Sequence, residues 1–292
     1  MRLKTSLLLI TYNRPDLTDT QIQECLKDPS RKIYVFSDGP KQSNDKLVLE
    51  NQKVITYYQS LHSDRITIKL ANTNFGCGKA VKTAIDWAFK NEDQLIILED
   101  DCNVSSHFLE FSDYALEKYC NDQEIFGISA ENKLAYNGKP ASTYYSIDFP
   151  LIWGWATWSR AWKLYEDDAH KCLTKMGHVE TRPDLTSQNK KYLSHNLQKV
   201  ASGTIDTWDY QLLHSVQSHD MKFLVPSTNL VKNTGFRHDA THTKRGRAPD
   251  MRLGSMNVPF SYSDDQSYNE YLKSFFKKRN WLQKIWWKLY GH

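Results

Sequence analysis

Residues 95–104 read Leu-Ile-Ile-Leu-Glu-Asp-Asp-Cys-Asn-Val. An apolar run of strand length stops at three consecutive carboxylates, Glu99, Asp100 and Asp101. Ser-Ser-His at 105–107 then gives a helix-start signal, and the apolar spacing predicts a helix from Phe108 to Tyr119. A short apolar run bounded in this way reads as a buried strand, Gln94 to Leu98, of a mostly parallel sheet. Its acids stand at the C-terminal end, on the rim where open α/β sheets bind ligands. No Lys or Arg adjoins the triplet in sequence. Carboxylates gathered without a cation repel one another, so a hard divalent ion is the expected compensation.

Outward from this strand, the first half of the chain alternates two periodicities. Strand patterns cover Ser6–Ile10, Lys32–Ser37 and Ile66–Leu70, and helical patterns cover Asp16–Leu26, Asp45–Ser60 and Gly78–Lys90. Such alternation predicts βαβ units, an α/β fold with a mostly parallel central sheet flanked by helices. The strands end in Thr11-Tyr12-Asn13-Arg14, Ser37-Asp38-Gly39-Pro40 and Ala71-Asn72-Thr73-Asn74-Phe75-Gly76, loops that should gather beside the acids. After about residue 125 the pattern changes. Ile125–Ser129 and Lys222–Val225 read as strands, Leu185–Ser202 and Trp208–His219 as helices, and 143–165 is aromatic-rich. From Asn233 to Arg252 there is little periodicity, the mark of a loop.

The organisation expected is a first half over 1–125, a second half of the same domain over 126–262, and a C-terminal segment over 263–292. That last segment interleaves Phe275, Phe276, Trp281, Ile285, Trp286 and Trp287 with Lys and Arg at helical spacing. It describes an amphipathic helix lying on an anionic membrane surface through residues 270–292, or else one that docks its Trp face on the protein.

The chain has 292 residues, room for one large α/β domain, and its 40% hydrophobic and 25% charged residues are ordinary for a soluble protein. A net charge of +4 gives no argument for nucleic acid. Five cysteines, odd in number and scattered, form no C-x-x-C pair, so neither a zinc site nor a disulfide framework is indicated, which suits a cytoplasmic protein. The opening Met-Arg-Leu-Lys-Thr followed by Ser-Leu-Leu-Leu-Ile reads as the first buried strand, not a leader. Nine Trp and sixteen Tyr suit a site that stacks on sugars or bases, or simply an aromatic core.

The acidic triplet has three readings: a metal and nucleotide-diphosphate site, an acid/base pair as in a glycoside hydrolase, or a solvated helix entry. Adjacent Asp100 and Asp101 are poorly placed to flank a glycosidic bond. Trp153, Trp155 and Trp158 surround Gly154, where a glycine between indoles would let a flat ligand approach; core packing is the alternative.

Taken together, Leu-Leu-Leu-Ile-Thr-Tyr-Asn-Arg-Pro, Ser-Asp-Gly, Asn-Phe-Gly-Cys-Gly-Lys-Ala and Leu-Glu-Asp-Asp resemble the nucleotide-sugar half of a GT-A glycosyltransferase. The inverting, family-2-like type is the nearest in pattern, and the Glu-Asp-Asp variant is similar to that of N-acetylglucosaminyltransferase I. The resemblance covers about residues 5–105 well and extends loosely through Phe149–Trp155 and Thr207–Tyr210 to about 243.

The resemblance implies a GT-A, Rossmann-like fold and a donor site. Thr11, Asn13 and Arg14 would hold nucleoside and diphosphate, Asp38 the uracil, and Asn74, Gly76 and Lys79 the phosphates. Glu99 and Asp100 would complete the nucleotide-sugar site. Asp101 would bind Mn²⁺ or Mg²⁺, with His242 (in preference to His238) closing the metal shell and Arg237 or Arg245 on the diphosphate. Asp209 stands where such enzymes carry the general base, with Asp206 as its rival; either acid could instead be a helix cap. Trp153, Gly154, Trp155 and Trp208 would face the sugar or acceptor.

The function implied is a metal-dependent inverting transferase. It would move sugar from a nucleotide-diphosphate donor, UDP-linked, to a glycan or glycolipid in polysaccharide or lipopolysaccharide synthesis at the inner face of a membrane. A sugar-1-phosphate nucleotidyltransferase is the first alternative, although Thr-Tyr-Asn-Arg-Pro is not the Gly-rich loop that such enzymes carry after the first strand. A carbohydrate-binding module that uses the tryptophans without catalysis is the second.

Overall fold

The computed structural model describes residues 4–132, 142–235 and 252–263. The first half supplies β1 (Ser6–Thr11), α1 (Pro15–Leu26), β2 (Ile33–Ser37), α2 (Lys46–Leu61), β3 (Ile66–Leu70), α3 (Cys77–Ala88), β4 (Gln94–Glu99), β5 (Cys102–Val104) and α4 (Ser106–Lys118). The second supplies β6 (Ile125–Ser129), β7 (Tyr144–Ile147), β8 (Trp155–Trp158), α5 (Ser159–Trp162), α6 (Ala169–Thr174), α7 (Met176–Thr181), α8 (Ser187–Ala201), α9 (Asp209–Ser218), β9 (Lys222–Pro226) and β10 (Val231–Asn233). Expected and observed bounds differ by a residue or two. Pro15 sets the start of α1, where a missing N–H costs nothing.

Eight strands form one mixed sheet in the order β3-β2-β1-β4-β8-β6-β9-β7. The fold is α/β with helices flanking this sheet. β3, β2, β1 and β4 run parallel; β8 is antiparallel to both β4 and β6, and β7 is antiparallel to β9. β1 is buried along its whole length and β4 over Leu95–Leu98, which is why their sequences are unbroken apolar runs with no alternation. Register decides the site: Ile10 pairs with Glu99 and Thr11 with Ser37, so the polar residues after each strand emerge together. A second, two-stranded sheet pairs β5 with β10 and lies directly beyond the acidic triplet.

Two apolar cores hold these layers. The larger lines the sheet; the smaller joins α6, α7, α8 and α9 through Cys172, Met176, Val179, Leu193, Leu197 and Leu213. α9 belongs to both, with Leu212 and Val216 in the larger core and Leu213 in the smaller.

The tryptophans correct an expectation. Trp155 is 1% exposed and Trp208 is 3% exposed. They stack on one another with ring centroids 5.6 Å apart, and Trp155 packs against Trp162 and Phe223 besides. Rings with no free face cannot form a sugar-facing wall. Trp158 is buried too, donating its indole N–H to the carbonyl of Leu116. Gly154 adopts φ +68°, and a β-carbon there would press into Val104. Trp153 alone of the cluster is partly exposed.

The strand β8 that carries Trp155 was not anticipated: a four-residue antiparallel segment between parallel neighbours has too short a pattern to read. The segment 263–292 lies outside the described residues beyond Ser263. Among the described residues no helix is long and apolar enough to cross a membrane. Trp208→Ala should lower stability by ~3–5 kcal/mol in urea unfolding. Unchanged stability with a loss confined to sugar binding would return Trp208 to the ligand.

Candidate active site

The sheet edge is built from four strand ends. Asp100 follows β4 and its N–H continues the ladder to the carbonyl of Ile10 at 3.2 Å, while Asp38 follows β2 and bonds the carbonyl of Thr11 at 3.0 Å. Parallel pairing therefore delivers the turn after β1, with Arg14, beside the triplet.

The pairing of Arg14 with the acids is what the sequence hid. Its Nη2 pairs with Asp100 Oδ1 and its Nη1 lies 2.9 Å from Asp101 Oδ2, so one guanidinium spans both acids. The expectation that the triplet lacks a basic neighbour is thus wrong in space, because Arg14 is 87 residues away from Asp101 in sequence. Bridging two carboxylates through a planar fork is a task for arginine. The flanking acids raise the Arg14 pKa despite its burial.

The acids themselves are under strain of charge. Asp100 is 4% exposed, and besides the Arg14 guanidinium it is held by the backbone N–H of Tyr12. Burial pushes its pKa up to about 7, with Arg14 opposing. Glu99 keeps an exposed edge at the strand end but is densely surrounded by protein. Burial first, then repulsion from Asp101 and Asp100, raises it to about 8.

Asp101 is held from behind. Its carbonyl accepts the N–H of Thr234 at 2.8 Å, and the chain after β10 passes so close that a β-carbon on Gly235 would collide with the Asp101 carboxylate. His242, His238, Arg237 and Arg245 lie outside the described residues, and among the described residues no group of three His, Cys, Asp or Glu could hold a metal ion.

Asp38 is tied to the loop that follows β3. Its Oδ1 accepts the N–H of Phe75 at 2.9 Å and of Gly39 at 2.8 Å, and its Oδ2 accepts the Asn74 amide at 2.8 Å. Burial raises its pKa while these backbone donors oppose the rise. Thr11 is turned inward: its hydroxyl donates to the carbonyl of Phe36 and accepts from Asn51. Lys79 is exposed, its ammonium 5.1 Å from the centre of the Phe75 ring, and Asn13 is half-buried in the turn after β1.

At the start of α9, Asp209 Oδ1 accepts from the Thr207 hydroxyl at 2.6 Å and from the N–H of Tyr210 at 3.0 Å. Asp206 instead accepts from the N–H groups of Cys77 and Gly78, so the N-terminus of α3, expected to face phosphate with Gly76, is occupied by a carboxylate of the chain.

Cys77, which the sequence did not single out, marks the centre. Burial lifts its thiol pKa, and Glu99, Asp206, Asp209 and Asp38 each lift it further. Cys77 therefore lies within electrostatic reach of acids that follow β2, end β4 and flank the start of α9.

Because burial raises Glu99 and Asp100 above their values in an unfolded chain, the folded protein binds more protons between about pH 4.5 and 8, and stability should fall as pH rises through that window. Glu99→Gln should flatten this slope in urea titrations run at successive pH values. An unaltered slope would mean that Glu99 is ionised throughout.

No family model matches the chain, and no curated protein matches it. Among solved structures, a protein assigned as a glucose-1-phosphate thymidylyltransferase from Bacillus anthracis, in complex with sucrose, is 10% identical with a TM-score of 0.39, covering 86% of this chain and 98% of that one. A UDP-glucose pyrophosphorylase complexed with UDP-glucose is 9% identical with a TM-score of 0.35, covering 94% and 100%. The glycosyltransferase GlyE of Streptococcus pneumoniae is 8% identical with a TM-score of 0.32, covering 97% of this chain and 64% of that one. Likeness this distant leaves function to the chemistry of the site.

Proposed function

We propose that this protein is a metal-dependent inverting glycosyltransferase with a nucleotide-diphosphate sugar, UDP-linked, as donor and a glycan or glycolipid as acceptor. The observation that carries the reading is a pair of separate acidic groups, both of which raise the pKa of Glu99. A guanidinium–dicarboxylate group stands at the end of β4, and a separate carboxylate, Asp209, comes from a different helix. Charge neutralisation on a leaving diphosphate and proton removal from an acceptor hydroxyl are distinct tasks that call for distinct groups.

The donor set is consistent with Mn²⁺ or Mg²⁺. Asp101 and Asp100 offer adjoining carboxylate oxygens that share one guanidinium between them. One or two carboxylates suffice when substrate phosphates complete the shell. When bound, the ion would stabilise charge on the diphosphate. Arg14 turns from the acids to the phosphates as donor binds, Asp38, oriented by Asn74, holds the base, and Asp209 takes the acceptor proton. Hydrogen bonds from Thr207 and Tyr210 fix the plane of the Asp209 carboxylate.

Calorimetry with UDP, with and without Mn²⁺, tests the reading. Asp101→Ala should abolish metal-dependent UDP binding, while Asp209→Asn should keep it and lose turnover by roughly 10²–10⁴-fold. Release of sugar 1-phosphate from a UDP-sugar and pyrophosphate would transfer the reading to nucleotidyl transfer. Sugar binding with no nucleotide affinity would leave a carbohydrate-binding module.

The basic aromatic segment 270–292 supports an acceptor presented at the cytoplasmic face of an anionic membrane. The full chain should sediment with anionic but not neutral vesicles, and replacing Trp281, Trp286 and Trp287 by Ser should abolish this. Unchanged sedimentation after replacement would remove the membrane from the proposal.

A further inference from the structure

Helix α3 starts with no cap of its own. Its N-cap residue is Gly76, which has no side chain to offer the first amides of the helix. Asp206 supplies the acceptor from a distant part of the chain. Its Oδ2 accepts from the N–H of Cys77 at 2.7 Å and its Oδ1 from the N–H of Gly78 at 2.9 Å, one amide to each oxygen. The two backbones are shaped for this approach. A β-carbon on Gly76, at φ +81°, would collide with Asp206 Oδ2, and one on Gly78 would lie 2.9 Å from the carbonyl oxygen of Thr207.

The segments so joined carry the two sides of the site. On the α3 side, Asn74 and Phe75 hold Asp38 at 2.8 and 2.9 Å. On the other, Thr207 donates to Asp209 at 2.6 Å and Trp208 is stacked on Trp155. Direct contacts thus run from Asp38 through the 74–78 turn to Asp206, Thr207 and Asp209.

We infer that Asp206 is a positioning residue: it clamps the turn bearing Asp209 onto the donor-side loop 74–78 and couples occupancy of that loop to the orientation of Asp209. The inference deepens the proposed function and rests on it. It also separates the two rival acids. Both oxygens of Asp206 are engaged by helix amides, the geometry of a cap, and the inference assigns proton transfer to Asp209.

Asp206→Ala and Gly78→Ala, singly and together in the full chain, test the clamp, with Asp206→Asn as a variant of the same shape that keeps one acceptor oxygen. Each of the first two should lower kcat by about 10–100-fold, the cost of a small misplacement, with UDP affinity within about threefold of normal. The double variant should lose no more than the worse single one, since both break one contact. In the unmodified chain, UDP with Mn²⁺ should raise amide-exchange protection in the first turn of α9, and in Asp206→Ala it should not. Asp206→Asn should retain the acidic limb of its pH–rate profile.

Loss of that limb in Asp206→Asn would make Asp206 the base. Tighter UDP binding in Asp206→Ala would mean that Asp206 is displaced by phosphate. Either result overturns the inference, as does an unchanged kcat. If the unmodified chain binds no UDP, the proposed function fails and the coupling with it. UDP binding with equal protection in all variants removes the coupling alone.

Discussion

The pairing of Arg14 with Asp100 and Asp101 is the interaction on which the rest of this sheet edge depends. Three adjoining acids, two of them enclosed by protein, are costly in a medium that solvates charge poorly. A single guanidinium that spans two of them makes the arrangement tolerable, and only because β1 and β4 are parallel neighbours. With Ile10 opposite Glu99, the turn after β1 has no choice but to lie over the triplet. The compensation remains partial, since Asp100 and Glu99 are still driven toward their protonated forms by burial. An edge left in that condition is poised to receive further positive charge.

Around this centre, rigidity comes from two sources of different character. On the β2–β3 side it is hydrogen bonding: Asp38 collects amides from Gly39, Phe75 and Asn74 and fixes the loop after β3. On the α9 side it is packing. Leu212 and Val216 anchor one face of the helix in the sheet core and Leu213 anchors another in the helical core, while Trp208 plugs the turn before it. A carboxylate at the first residue of such a helix has little freedom to wander, as the proton-transfer role proposed for Asp209 requires.

Much of the first half was legible in sequence because its signals are local. Unbroken apolar runs at Leu7–Ile10 and Leu95–Leu98, each followed by polar turns, read as buried strands whose ends share an edge. The acidic triplet, Asp38 and the Asn74–Gly76 turn could be assigned to that edge without coordinates. What escaped is whatever depends on distance along the chain. Arg14 and Asp101 meet across 87 residues, and Asp206 reaches Gly78 across 128. Cys77 looked inert because its surroundings come from β2, β4 and the turn before α9. β8 and the β5–β10 pair were missed for another reason: strands of three or four residues carry no period to detect.

The aromatic excess shows why composition misleads about mechanism. Tryptophans beside a glycine suggest a wall for sugars, yet Trp155 and Trp208 spend their faces on each other. Their stacking does affect the site, though at one remove. Trp155 lies on β8, the strand wedged between β4 and β6, and Trp208 immediately precedes Asp209. The contact therefore ties the turn carrying Asp209 to the strand next to β4, whose last residues are the acids. Stacked indoles here fix the spacing between two sets of carboxylates, and any ligand that meets both sets meets a separation determined by the core.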